Sequence, residues 1–315
     1  KERTAVCCLS SLNLDTYDEW KDEPKFIEDV MRFLDNVMTD FIERAPSEFE
    51  NAKYSAMRER SVGLGVMGLH SYFQQKNIPF GSVMSKVWNK KVFKNIQEKV
   101  DDASITLGEE RGPCPDAADF GFKERFSNKT AIAPTASISI ICGGTSAGVE
   151  PISGNSYTHK TLSGSFNVRN KYLKKVLEKY NKNNEETWSS ITTNQGSVSH
   201  LDYLTDEEKD TFKTAFEIDQ RWVVELGADR TPHISQAQSI NVFVPADIHK
   251  KELHQIHYQA WKKGLKSLYY CRSKSIQRAE NVTAGSSTDV TKNVYKKKNQ
   301  SNNEENNYEE CLSCQ

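Results

Sequence analysis

Three kinds of residue in this chain could do chemistry, and the first is the thiol. Cys7 and Cys8 stand side by side near the start, and Cys311-Leu-Ser-Cys314 stands next to the end. A single C-x-x-C pair cannot fill a tetrahedral zinc site. It also lacks the helix that follows a thioredoxin-type motif. It suits a tethered dithiol that exchanges with a disulfide elsewhere. Cys7 or Cys8 is the natural thiol to receive it. Adjacent strand residues point to opposite faces, so one of the two can face a cavity and the other belongs to the core.

The second kind is the phenol pair Tyr269-Tyr270. On a strand such a doublet serves either as packing or as stepping stones for one-electron transfer. The third is the stretch Ala131-Ile-Ala-Pro-Thr-Ala-Ser-Ile-Ser139, continued by Gly143-Gly-Thr-Ser-Ala-Gly-Val-Glu-Pro151. Pro134 ends a short strand from Thr130 to Ala133, because proline has no N–H for the ladder. The small uncharged residues that follow, Thr135 to Ser139, let backbone amides approach an anion closely at a helix start. Such a turn can hold a phosphate without lysine. A plain strand followed by a capped helix is the alternative. His249, His254 and His257 share one helix without acidic or thiol partners, which makes them surface residues rather than metal ligands.

These groups need elements to position them. Ala5 to Leu14 reads as a buried strand. Phe26 to Ile42 carries the apolar stripe of a helix, with Pro24 and Pro46 outside its ends. Gly63-Leu-Gly-Val-Met-Gly68 matches G-x-G-x-x-G, but a charged helical stretch precedes it and no acid occurs from Ser82 to Phe93. A dinucleotide site is excluded, and the glycines are expected to permit close helix packing. Val83 to Leu107 reads as a long helix closed by Gly108. Asn170 to Tyr180 reads as helical, and the capping box Thr205–Glu208 starts a helix running to about Leu226. Gln238 to Val244 alternates as a strand, Asp247 caps a helix through Lys263, and Leu265 to Cys271 forms another strand. Strand, helix and strand at these lengths predict parallel βαβ units and an α/β fold, such as a barrel.

At 315 residues with 37% hydrophobic and 10% aromatic content, the chain can bury a sizeable core. A net charge of −1 gives no electrostatic case for nucleic acid or membrane binding. No apolar run approaches the roughly 20 residues of a membrane span. The first residues lead into a strand rather than a signal peptide, and the start without methionine is expected to be a processed or truncated end. An odd and scattered set of 7 cysteines predicts a cytoplasmic protein rather than a disulfide framework. From Ser273 to Glu310 there is no Leu, Phe, Trp or Met. A segment so poor in apolar surface is expected to be a mobile tail.

Several stretches together resemble one family, the large catalytic subunit of class I ribonucleotide reductase, in its eukaryotic and large-phage branch. They are Cys7-Cys-Leu-Ser-Ser-Leu-Asn-Leu14, Arg60-Ser-Val-Gly-Leu-Gly65, Pro134-Thr-Ala-Ser137 with Val149-Glu-Pro151, and Leu162-Ser-Gly-Ser-Phe166. Ala228-Asp-Arg-Thr231, Gln236-Ala-Gln-Ser-Ile-Asn241, Trp261-Lys-Lys-Gly-Leu-Lys266, Tyr269-Tyr270 and the terminal Cys311 and Cys314 complete the set. They occur in the family's order over almost the whole chain.

The resemblance implies that the amides of Thr135, Ala136, Ser137, Ile138 and Ser139 hold a substrate diphosphate. It implies that Cys7 is one of two thiols that reduce the ribose 2′ position, and that Cys8 has no catalytic part. Tyr270 would take a radical from a metal-containing small subunit, and Tyr269 would pass it to a radical cysteine. Cys311 and Cys314 would re-reduce the disulfide and be recharged by thioredoxin or glutaredoxin. No cofactor or metal would bind to this chain itself. The family's Asn-x-Cys-x-Glu radical loop is missing here, as are the second reducing cysteine and the effector-binding regions. The implied fold is therefore the C-terminal half of a ten-stranded α/β barrel over residues 1–272. It would carry a small inserted α/β lobe around 160–230 and a flexible tail over 273–315. The chain would be a fragment or a split-gene product that needs a separate N-terminal part. The rival reading is a noncatalytic binding or regulatory piece that kept the fold, which the intact tyrosines and tail cysteines speak against. A cobalamin-dependent or anaerobic reductase is a third reading, disfavoured by the tyrosine pair.

Overall fold

In the computed structural model, which describes residues 2–161 and 164–273, five segments pair in parallel, each beside the next. Strand β1 (Leu9–Asn13) runs parallel to β2 (Gly63–Met67), with Leu12 opposite Val66. β2 passes the ladder on through a parallel bridge from Leu64 to Thr130, and Ile132 bridges in parallel to Gln238. The Gln238 segment continues into β5 (Val242–Val244), which pairs in parallel with β6 (Cys271–Ser273). This order makes a curved parallel wall, part of a barrel. β1 and β6 form its two edges among the described residues.

Helices fill the crossovers, as parallel neighbours require. α1 (Tyr17–Trp20), α2 (Phe26–Arg44) and α3 (Glu50–Glu59) lie between β1 and β2. The stripe on α2 buries Ile27, Met31, Leu34 and Met38 in the main core. α4 (Leu69–Gln75), α5 (Val83–Arg111) and α6 (Pro115–Asp119) follow β2. α7 (Ile138–Ile141) is a single turn. The hairpin of β3 (Ser156–Thr161) and β4 (Gly164–Arg169) leads into α8 (Lys171–Lys179), α9 (Glu185–Thr193) and α10 (Asp206–Thr211). These helices hold a separate core around Leu173, Leu177, Trp188, Ile191 and Phe212. α11 (Gln220–Arg230) returns the chain to the main core, and α12 (Lys250–Lys262) crosses from β5 to β6.

One buried carboxylate ties the outer helices together. Asp35 of α2 is fully buried and accepts from Arg60 Nε at 2.8 Å, Arg111 Nη1 at 2.6 Å and Arg125 Nε at 2.9 Å. Burial raises its carboxyl, but the hydrogen bonds from Arg125 and Arg111 outweigh that and hold it below the usual value.

Several sequence expectations need correction. The glycines at 63–68 serve a strand and not helix packing. A Cβ on Gly65 would stand 2.1 Å from the Ala131 carbonyl oxygen, so only glycine lets the third segment lie against β2. Gly108 does not close α5, which runs on to Arg111. It sits inside the helix, where a Cβ would meet the Lys123 carbonyl at 2.0 Å. The helix started by Thr205 ends at Thr211, because the next residues bond elsewhere. Phe212 O accepts from Asn155 Nδ2 at 2.7 Å, and Ala215 N donates to Ile152 O at 2.7 Å. His249, not Asp247, caps α12, its ring accepting from Lys251 N at 3.1 Å. Leu265–Tyr270 is not a regular strand, although Tyr269 N donates to Ile240 O at 2.8 Å and Tyr270 O accepts from Val242 N at 2.9 Å. The expected tail, with Cys311 and Cys314, lies outside the described residues from 274 on.

Candidate active site

The parallel order brings four distant segments around one cavity of about 440 Å³. Its walls include Cys7, Ser10, Pro134, Thr135, Gln238 and Tyr269. Cys7 and Cys8 stand just before β1 rather than in it, and both also line a neighbouring groove of about 740 Å³ with Phe33, Leu34 and Met38, so strand alternation does not separate them; they differ in burial. Cys7 is exposed. Cys8 is half-buried against the main core, with its Sγ 3.9 Å from the Leu34 carbonyl oxygen. Burial pushes the Cys8 thiol above its ordinary value, which disfavours the nucleophilic thiolate there.

The turn after Pro134 is backbone-strained. Thr135 has φ 55, a left-handed conformation rare for a β-branched residue. Its buried hydroxyl accepts from Gly148 N at 2.7 Å, which holds the turn against the Gly-rich stretch. Ser139 N closes the turn on Thr135 O at 3.0 Å, and α7 begins at Ile138. The five turn residues divide. Thr135 and Ile138 face the Cys7 cavity, whereas Ala136 and Ser139 line a second cavity of about 270 Å³ behind the turn. Ser137 is exposed and lines neither.

Tyr269 lines the Cys7 cavity and Tyr270 lies next to it, their ring centroids 4.2 Å apart at 54°. Both residues are more than two-fifths exposed in this chain, at 43% and 49%. The wall on this side is held by long-range bonds. Lys266 Nζ donates to the carbonyls of Ile234, Ser235 and Gln236 at 2.9, 2.6 and 3.0 Å. Buried Arg230 donates through Nε to Gln238 Oε1 at 2.5 Å.

Other groups at the site had no role from sequence. Ser239 lines the Cys7 cavity with a buried hydroxyl that has no hydrogen-bond partner among the described residues. Glu150 lines the second cavity and accepts from Asn241 Nδ2, and Asn241 Oδ1 in turn accepts from Tyr270 N at 2.9 Å. The only sequence signal for these residues was their place inside stretches that carry the family resemblance. Among the described residues no three His, Cys, Asp or Glu side chains converge as metal ligands would. No helix among them is long and apolar enough to cross a membrane.

Parallel segments joined by helices, with Cys7, Tyr269 and a small-residue turn around one cavity, make up part of an α/β barrel. The chain belongs to the ribonucleotide reductase barrel-domain family, whose model matches residues 1–124 and 123–271. It is 51% identical over 286 residues to the ribonucleoside-diphosphate reductase large subunit of Invertebrate iridescent virus 6, covering 90% of this chain and 30% of that protein. It is 29% identical to the large subunit of Caenorhabditis elegans, covering 99% of this chain and 43% of the relative. Among solved structures, the Actinobacillus ureae class Id ribonucleotide reductase alpha subunit superposes with a TM-score of 0.81 at 41% identity. That match covers 87% of this chain and 51% of the other. The chain thus spans about half or less of the length of these relatives. Its fold is that of the family's barrel domain in part, as the resemblance implied.

Proposed function

We propose that this chain supplies the C-terminal part of a ribonucleoside-diphosphate reductase large subunit and acts with the remaining part of that subunit. The observation that carries the reading is the single cavity lined jointly by Cys7, Thr135 and Tyr269. The substrate is a ribonucleoside diphosphate, its diphosphate held by amides of the Thr135–Ser139 turn. A small subunit containing a metal supplies a radical, which travels through Tyr270 and Tyr269 to a radical cysteine outside this chain. Cys7 and a second thiol, also outside it, then give up two electrons and two protons. The C2′–O bond breaks, a C2′–H bond forms, the oxygen leaves as water and the two sulfurs become a disulfide. Cys311 and Cys314 exchange with that disulfide, and thioredoxin or glutaredoxin recharges them. Chemistry that depends on free thiols fits the reducing cytoplasm.

The test is reconstitution. This chain, the rest of the large subunit and the small subunit together should form deoxyribonucleoside diphosphate, and this chain alone should not. Tyr269→Phe removes the phenolic proton while keeping nearly all the ring, so it should end turnover with folding unchanged. Robust turnover by the isolated chain, or a fully active Tyr269→Phe enzyme, would overturn the reading.

A further inference from the structure

Tyr270 is gripped by groups to which the radical path assigns no task. Its backbone N–H donates to Asn241 Oδ1 at 2.9 Å, and the Nδ2 of the same amide donates to Glu150 Oε1. An ionised carboxylate only accepts and a backbone N–H only donates, so this pairing fixes which way the Asn241 amide points. The guanidinium of Arg272 lies 5.8 Å from the centroid of the Tyr270 ring, within cation–π range. Arg272 is also the charged group whose field reaches Glu150, and both line the second cavity behind the turn. Glu150, Asn241, Tyr270 and Arg272 therefore form one connected cluster, drawn from three segments.

A purely structural role explains this cluster poorly. Asn241 is fully buried, and the parallel pairing of 240–242 with 269–271 already holds the backbone. An apolar pair of similar volume would fill the space without desolvating a carboxylate. Tyr269 and Tyr270 are exposed in this chain, so core packing within it does not hold their rings. The contact on the Tyr270 ring comes from Arg272, and Asn241 holds the backbone N–H from which that ring projects.

We infer that Glu150, acting through Asn241 and Arg272, is a positioning residue that keeps Tyr270 in register with Tyr269. The inference rests on the reading of the pair as a radical path. Burial raises the Glu150 carboxyl to about 7, with Arg272 and Asn241 acting against it. The clamp is thus charged on one side of neutrality and uncharged on the other. Tyr157, the other titratable group lining that cavity with Arg272, has its phenol raised by burial and stays protonated through this range.

The experiment uses the complete reductase carrying Glu150→Gln, Asn241→Ala or Tyr270→Phe. Turnover is followed from about pH 6 to 8.5, with CDP affinity and thermal midpoint measured on each variant. Asn241→Ala should lower turnover by about tenfold or more, as misplacement of a reacting group does, with CDP affinity unchanged. Wild-type turnover should fall as pH drops through about 7, where Glu150 gains a proton. Glu150→Gln is nearly isosteric and still accepts from Asn241. It should lose that step and run at the low-pH rate throughout. If Asn241→Ala fails to fold, Glu150→Gln decides alone. A Glu150→Gln enzyme with the wild-type rate and pH profile would overturn the inference, provided that Tyr270→Phe is inactive. A fully active Tyr270→Phe enzyme would instead overturn the radical path itself.

Discussion

The two adjacent thiols separate stability from chemistry, and serine at each should read out one without the other. Cys7 is exposed and lines the cavity, so Cys7→Ser removes almost no buried contact. Its stability should stay within about 0.5 kcal/mol of wild type, as for most surface changes. Its chemistry should vanish, because a hydroxyl cannot give up the electron that a thiol gives when a disulfide forms. Cys8 is half-buried against the main core, and Cys8→Ser puts a hydroxyl where a weakly polar sulfur packed. That should cost about 1–2 kcal/mol. At about 2–4 °C per kcal/mol for a domain of this size, the thermal midpoint should fall by several degrees. Deoxynucleotide formation per enzyme should be unchanged at a temperature where Cys8→Ser is folded. The assay is a single-turnover measurement on the reconstituted complex, paired with thermal unfolding of the same samples. A Cys7→Ser enzyme that makes normal product, or a Cys8→Ser enzyme that is folded but inactive, would show the thiols assigned the wrong way round.

Serine at Cys311 or Cys314 should leave the first turnover intact and block later ones with thioredoxin as reductant. Dithiothreitol, which reaches the Cys7 disulfide unaided, should restore repeated turnover. His70 is fully buried, its Nδ1 accepts from Ile152 N at 3.0 Å, and burial lowers its pKa from 6.5 to about 3. The unfolded chain takes a proton there below about 6.5 and the folded one does not. Stability should therefore be fully present above that pH and decline by roughly 1.4 kcal/mol per pH unit as pH falls toward 3. His70→Gln, measured by denaturant unfolding between those limits, should flatten that slope. Gly65→Ala would force a Cβ to 2.1 Å from the Ala131 oxygen. It should cost about 1–3 kcal/mol or more and lower turnover too, since Ala131 and Ile132 lead into the Thr135 turn; chemical denaturation and turnover together check it.

Local signals were legible where local bonds decide. The helical stripe from Phe26 to Ile42, the helix between Asn170 and Tyr180 and the Thr205 capping box all sit where the residues indicated. Apart from the α12 cap, which His249 makes locally in place of Asp247, the errors fall where a distant partner decides. No helix propensity reveals that Phe212 O and Ala215 N are claimed by Asn155 and Ile152. The glycines at 63 and 65 look alike in a helix and in a strand until Ala131 is known to lie against them. For the site, Cys7, Tyr269 and the turn were named from resemblance and residue type. Their meeting at one cavity depends on the bridge from Ile132 to Gln238, which no spacing announces. Ser239, Glu150 and Asn241 were missed for the same reason: an ordinary serine, glutamate or asparagine acquires meaning only from what it faces.

The parallel order of the five segments also sets how this chain must fold. β5 and β6 can pair once a single helix has formed between them. Ile132 and Gln238 are about a hundred residues apart, so their pairing pays a larger loop-closure entropy and comes late. That late contact joins the Cys7 side of the cavity to the Tyr269 side. The cavity is thus closed only when that contact forms, and before it the chain carries an exposed Cys7 without the Tyr269 wall. In such a state an accessible thiol is open to mixed-disulfide formation. Folding under reducing conditions then protects Cys7 until the wall is complete.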